Sequence, residues 1–207
     1  MRGRSWSPAG RPGGLAGHGA LAGPRPDRRC HAVGLGAFQE ARALTDDEYL
    51  WEPVPDCWSV RRRTDGPGAR ATLLAGTGDW GRDAAPHPHP VPPPFTTLAW
   101  RLSHLSDMLF LRADHTAGTH TLTRDDYRVS GTAADAIAAF HAAADAWRTA
   151  LLDTDDTDLD TVGRCTYPHG SDGEEPFGDI VWWVNQEVLH HGAEIALLRD
   201  LYRERRH

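Results

Sequence analysis

Between residues 177 and 202 the chain reads FGDIVWWVNQEVLHHGAEIALLRDLY. Phe177, Val181, Val184, Val188, His191, Ile195, Leu198 and Tyr202 recur there at alternating steps of four and three. That spacing draws one stripe along a long α-helix, and the stripe must face other helices to leave water. One member, His191, is not a hydrophobe, and Glu187 stands one turn before it on the same face. A buried polar group left unpaired costs roughly 2–7 kcal/mol, depending on the reference state. A bound metal ion would satisfy the carboxylate and the imidazole together. Gly192 follows, and its missing side chain lets a neighbouring backbone come close.

Two further stretches carry helical stripes. Leu98, Leu102, Leu105 and Leu109 form one, with Thr96 or Thr97 as its cap and His104 flanking it beside Met108 and Leu111. Ala133, Ile137, Phe140, Ala144, Trp147 and Leu151 form the other, capped by Thr132. These patterns predict helices over 95–114, 132–152 and 174–204, the last capped by Asp172 through Glu175. A shorter helix over 35–44 ends near Leu44, and Thr45-Asp-Asp-Glu48 then matches a capping box. The expected fold is all-α: an antiparallel four-helix bundle with shallow crossing angles. Its connection between the first and second helices is long, roughly 40 residues against the usual 2–8, and should pack over one end of the bundle. Cys57–Val60 and Ala71–Leu74 read as short strands within it. The six prolines of residues 86–94 make a stiff extended segment in which His87 and His89 are linker residues. Asp153 to Asp160 is an acidic connection.

Residues 1–34 differ from the rest. They are rich in Gly, Pro, Ala and Arg and have no apolar period, so they read as a disordered or atypical extension, whether a basic arm or a misplaced start. They also lack the apolar core of a signal peptide. The domain proper is 35–207. Six Arg and one Asp give the extension a charge of +5, whereas 16 Arg and 28 acids give the remainder −12. An acidic domain argues against nucleic acid as a partner. No apolar run is long enough for a membrane span. Lysine is absent, which removes Schiff-base and phosphate-loop lysine chemistry. Cys30, Cys57 and Cys165 are too widely spaced for a zinc knuckle or a disulfide framework, so a reduced cytoplasmic protein is expected.

The chemistry therefore concentrates on His104, Glu187 and His191. Two histidines and a carboxylate make a three-ligand metal site with open positions. His104 is the best third donor because it flanks a leucine stripe. His190 and Glu194 form a competing i, i+4 pair, and spacing does not choose between the two pairs. The stripe position of His191 favours the first. His190 is turned about 100° from His191 and is assigned to a supporting or substrate-facing role.

Three motifs carry a family resemblance: LTDDEYLWEPVPDCWSVR, FTTLAWRLSHL and VNQEVLHHGAEIALLRDLY. With them, residues 44–207 resemble the DinB-like superfamily, four-helix bundles of the DinB and YfiT type. The resemblance implies a divalent metal held by His104, Glu187 and His191. Many members have histidine where this chain has Glu187. The His-Glu-His version is similar to the mycothiol-dependent maleylpyruvate isomerase branch, which uses zinc. Trp183 stands where some relatives carry another histidine. The implied function is a metal-dependent thiol S-transferase or isomerase, with a low-molecular-weight thiol as cofactor and a small-molecule electrophile or thiol as partner. The alternatives are a metal-dependent hydrolase and a non-catalytic, stress-associated metal-binding bundle. Association into a homodimer is compatible with each.

Overall fold

The computed structural model describes residues 44–86 and 90–205, all within the unit His31–His207. Among the described residues five α-helices and three strands follow one another: α1 (Asp46–Tyr49), β1 (Val60–Arg62), β2 (Leu73–Ala75), β3 (Trp80–Ala84), α2 (Leu98–Ala117), α3 (Ala133–Ala150), α4 (Asp156–Leu159) and α5 (Phe177–Glu204). The protein is thus mostly helical with a small sheet, rather than all-α. The short helix expected over 35–44 lies outside the described residues, except for Leu44, which is not helical. His87 and His89 are outside them as well.

α2 is the central element. Fifteen of its residues are buried, far more than one stripe requires. α3 and α5 pack against it, and the sheet covers part of its remaining surface. Leu98, Leu102, Leu105 and Leu109 are all buried, as their spacing requires. The added burial takes in Arg101, Asp107, Arg112 and Asp114, and each has a partner. Asp107 pairs with Arg82 of β3, Arg112 with Asp172 and Arg101 with Glu194. Asp114 accepts from the N–H groups of Thr119, Thr121 and Leu122, which ends the helix and turns the chain.

α5 extends for 28 residues, about 42 Å at the α-helical rise. Phe177, Val184, Ile195 and Leu198 are buried, and Val181, Val188, His191 and Tyr202 are half-buried, so the predicted stripe faces inward throughout. Its cap differs from expectation. Pro176 is the N-cap and offers no side-chain bond, because Asp172 is turned to Arg112 instead. In α3 the face of closest contact is Ala133, Ala136, Phe140, Ala143, Trp147 and Ala150. Ile137, Ala144 and Leu151 of the predicted stripe are only half-buried. Four alanines on the inner face let two helix backbones come close around Phe140 and Trp147, while Ile137 and Leu151 fill its flanks.

The connection before α2 is more ordered than its composition implies. Strand order is β1-β3-β2, antiparallel throughout, with Val60 opposite Arg82 and Leu74 opposite Asp83. The two expected strands lie one to three residues later than predicted. β3 was not expected, because WGRDA has no apolar alternation. Its burial is polar: Asp83 accepts from Ser59 N at 2.9 Å, Gly68 N at 2.8 Å and Arg61 Nε at 2.8 Å. β1 and β3 lie on the first half of α2, and Trp100 Nε1 donates to the Asp83 carbonyl at 2.8 Å. α1 is a single turn with Glu48 N donating to Thr45 Oγ1 at 3.2 Å. Glu48 does not complete the capping box. Its carboxylate takes Arg199 of α5 at 2.8 Å, while Asp46 accepts from Ala133 N at 2.7 Å and caps α3. The acidic connection folds into the one-turn α4, with Asp155 and Asp158 capping each other.

Candidate metal centre

His104 sits near the middle of α2, and Glu187 and His191 lie one turn apart on α5. The contact between the two helices brings all three together. Their ligand atoms lie within 4.8 Å of one another, and the cluster has no fourth His, Cys, Asp or Glu among the described residues. Glu187 Oε2 is the hub, 3.3 Å from His104 Nε2 and 3.3 Å from His191 Nε2. All three side chains are partly shielded rather than sealed.

The charge states suit a cation. Burial pushes His104 down to about 4, with the Arg82 charge and His191 acting the same way and Glu187 against them, so its ring is neutral near pH 7. Hydrogen bonding from His104 holds Glu187 well below the usual carboxylate range, against the pull of its burial. A neutral imidazole and an ionised carboxylate are the forms that ligate metals.

His191 has a carboxylate at each nitrogen. Nδ1 lies 2.7 Å from Glu194 Oε2, and Nε2 lies 3.3 Å from Glu187 Oε2. In a neutral ring the shorter contact takes the hydrogen, so Nδ1–H donates to Glu194 and Nε2 presents its lone pair to the centre. Two acceptors then face each other, an opposition that a cation between them removes. Spacing provides a second test of fit. Donors about 2.0–2.1 Å from a tetrahedral ion stand about 3.3–3.4 Å from one another. The two contacts to Glu187 match such edges.

His104 also forms part of the wall of a cavity of about 760 Å³, shared with Asp107, Arg112, Tyr167, Asp172 and Trp183. The other side of its ring is held by Trp100, stacked at 5.1 Å between centroids and 22° between planes. Trp183 does not fill the centre. It lies over the Arg112 guanidinium at 4.3 Å, with Tyr167 at 4.5 Å, and forms part of the cavity wall. Trp182 is 65% exposed.

The expected orientation of His190 needs correction. Its ring is not turned away from His191 but stacks on it, 4.7 Å between centroids and 17° between planes. Both imidazoles bend toward one carboxylate: His190 Nε2 is 3.3 Å from Glu194 Oε1. His190 stays mostly exposed and is not in the inner cluster. Glu194 is the residue that sequence reading missed in its true role. Its pairing with His190 at i, i+4 was legible, but the tighter i, i+3 contact to His191 depends on which rotamers the packing selects.

A family model for the DinB superfamily matches residues 37–195, which include all three members of the cluster and Glu194. No curated protein and no solved structure matches the chain.

Proposed function

The chain belongs to the DinB superfamily, and from that premise we propose that it is a metal-dependent enzyme, a thiol S-transferase or isomerase acting on a small-molecule electrophile. His104, Glu187 and His191 are its metal ligands in this reading. The observation that carries it is the set of two 3.3 Å contacts to Glu187 Oε2, at tetrahedral edge spacing, beside a cavity that reaches His104. Zinc suits two imidazoles and one carboxylate with a position left over. A divalent ion there would supply Lewis-acid chemistry, lowering the pKa of a thiol or water so that it attacks at neutral pH.

The chain's own residues do the rest. His104 stays neutral through burial, and Glu187 stays ionised, which are the charge states in which the two ligate. Trp100 fixes the His104 ring on one side. The cavity beyond His104 receives the substrate, with Trp183 and Tyr167 as its aromatic walls. Arg112, between them and paired with Asp172, holds those walls in place. Cys57 and Cys165 are free and buried, in keeping with a reducing, cytoplasmic setting. No described helix is long and apolar enough to cross a membrane. The same reading takes α2, α3 and α5 as three members of an antiparallel four-helix bundle.

Metal analysis of the purified protein, followed by turnover assays on electrophiles with and without mycothiol or bacillithiol, tests this. Stoichiometric zinc with thiol-dependent turnover is expected. Turnover that needs metal but no thiol would move the protein to the hydrolases. Absence of any bound divalent metal would overturn both.

A further inference from the structure

Glu194 has three contacts at once. His191 Nδ1 lies 2.7 Å from Oε2, His190 Nε2 lies 3.3 Å from Oε1, and the guanidinium of Arg101 sits against Oε2. Arg101 belongs to α2, three residues before His104, and Glu194 belongs to α5, three residues after His191. Three residues is close to one helical turn. The Arg101–Glu194 contact is therefore a second rung between the two helices, next to the one formed by His104, Glu187 and His191.

That rung has physical consequences. The Arg101 side chain is 8% exposed, its Nε donates to the Thr96 carbonyl at 3.2 Å, and its guanidinium lies 5.7 Å from the centre of the Phe95 ring. It is held at two places besides Glu194, so it sets where Glu194 rests. Glu194 in turn accepts from His191 Nδ1, which leaves only Nε2 to face Glu187.

We propose that Glu194, anchored by Arg101, is a positioning residue that presets the His191 tautomer and the α2–α5 spacing, so that the metal centre is formed before the ion arrives. This inference rests on the metal reading above and adds the source of the centre's affinity. Glu194 also belongs to a second group with ligand geometry, His190, His191 and Glu194. A separate ion there is disfavoured because the Arg101 cation already occupies the Glu194 carboxylate, and a divalent ion would have to displace it.

The test uses the full chain, stripped of metal and reloaded with zinc or cobalt against a competing chelator. Glu194→Ala is expected to weaken zinc binding by about 10–100-fold, the usual cost of losing a ligand's hydrogen-bond partner. Glu194→Gln keeps an oxygen for Nδ1–H and is expected to recover most of that loss. A purely structural role would not sort the variants this way, because it would follow the thermal stability of the metal-free protein. The visible spectrum of the cobalt form gives an independent readout: its intensity should fall and its bands shift in Glu194→Ala as His191 loses its orientation. Arg101→Met should produce the same loss in milder form.

Wild-type affinity and spectrum in Glu194→Ala would overturn the inference and leave the three-ligand centre standing. A second bound equivalent, lost in Glu194→Ala, would overturn it in favour of a second metal site. Failure of the wild type to bind zinc or cobalt would overturn the proposed function and this inference with it.

Discussion

At the scale of single residues the centre depends on one oxygen. Glu187 Oε2 is the atom that both imidazoles approach. Glu187→Ala, His191→Ala and His104→Ala are each expected to abolish stoichiometric divalent metal binding, as read by calorimetric titration of zinc into the metal-free variants. His190→Ala should keep the metal, because His190 supplies no atom to the inner cluster and touches it only from outside, at His191 and Glu194. Acid should act on the same residues. The folded-state pKa of His104 is lowered from 6.5 to about 4, so the unfolded chain takes up its proton first as pH falls. Stability contributed by the neutral ring is present above about 6.5 and declines as pH drops toward about 4. The depressed Glu187 contributes stability above its unfolded value of 4.5 and loses it below. Both act in one direction, so the metal-free protein should melt at progressively lower temperature from pH 7 to pH 4. His104→Gln should flatten the upper part of that curve, and an unchanged curve would remove His104 as its source. An ordinary histidine would release metal near about pH 6. Proton competition at His104 should instead begin lower.

At the scale of elements, the stripes locate the helices, whereas polar contacts locate the sheet. α2 and α5 are legible because leucine and valine recur at helical spacing. β3 is not, because what holds it is the Asp83 carboxylate taking donors from Ser59, Arg61 and Gly68. No period in a sequence encodes such partners. α1 was legible as a cap, but its acids are spent on distant elements, Asp46 on α3 and Glu48 on Arg199. Just after β2, Thr77 N–H donates to the Tyr127 carbonyl and the Thr77 carbonyl accepts from Val129 N–H, and Gly76 beside it has φ +84°, a backbone conformation that favours glycine. A Cβ there would meet Val129 Cγ2 at 2.5 Å and the Tyr127 carbonyl oxygen at 2.8 Å. Gly76→Ala is therefore expected to cost about 1–3 kcal/mol, measured by urea denaturation. A change below a few tenths would mean that this junction yields freely.

For the whole molecule, the proposed metal centre and the helix packing are linked. Its three donors come from two helices 83 residues apart in sequence, His104 to Glu187. An ion bound only by the native state stabilises it by mass action, about 2.7 kcal/mol when free zinc is 100 times its dissociation constant. Zinc should raise the melting temperature of the wild type and leave that of Glu187→Ala unchanged. A rise of equal size in both would place the bound zinc elsewhere on the protein. The sheet matters at this scale as well, because it brings Arg82 to Asp107 and into the field of His104.

The sequence by itself determined the three long helices, the inward face of α5 and the placing of Glu187 and His191 one turn apart on it. Each depends on helical periodicity, which acts over a few residues and is written into their spacing. Tertiary structure alone decided the rest. It placed alanines rather than Ile137 and Leu151 on the inner face of α3, because backbone approach is a property of two helices. It turned His190 onto His191, because the carboxylate between them is shared. It made Glu194 the partner of His191 through Arg101, a residue of another helix. The order of the sheet, the cavity beside His104 and the two 3.3 Å contacts to Glu187 Oε2 arise in the same way, from distances between atoms that the chain brings together only when it folds.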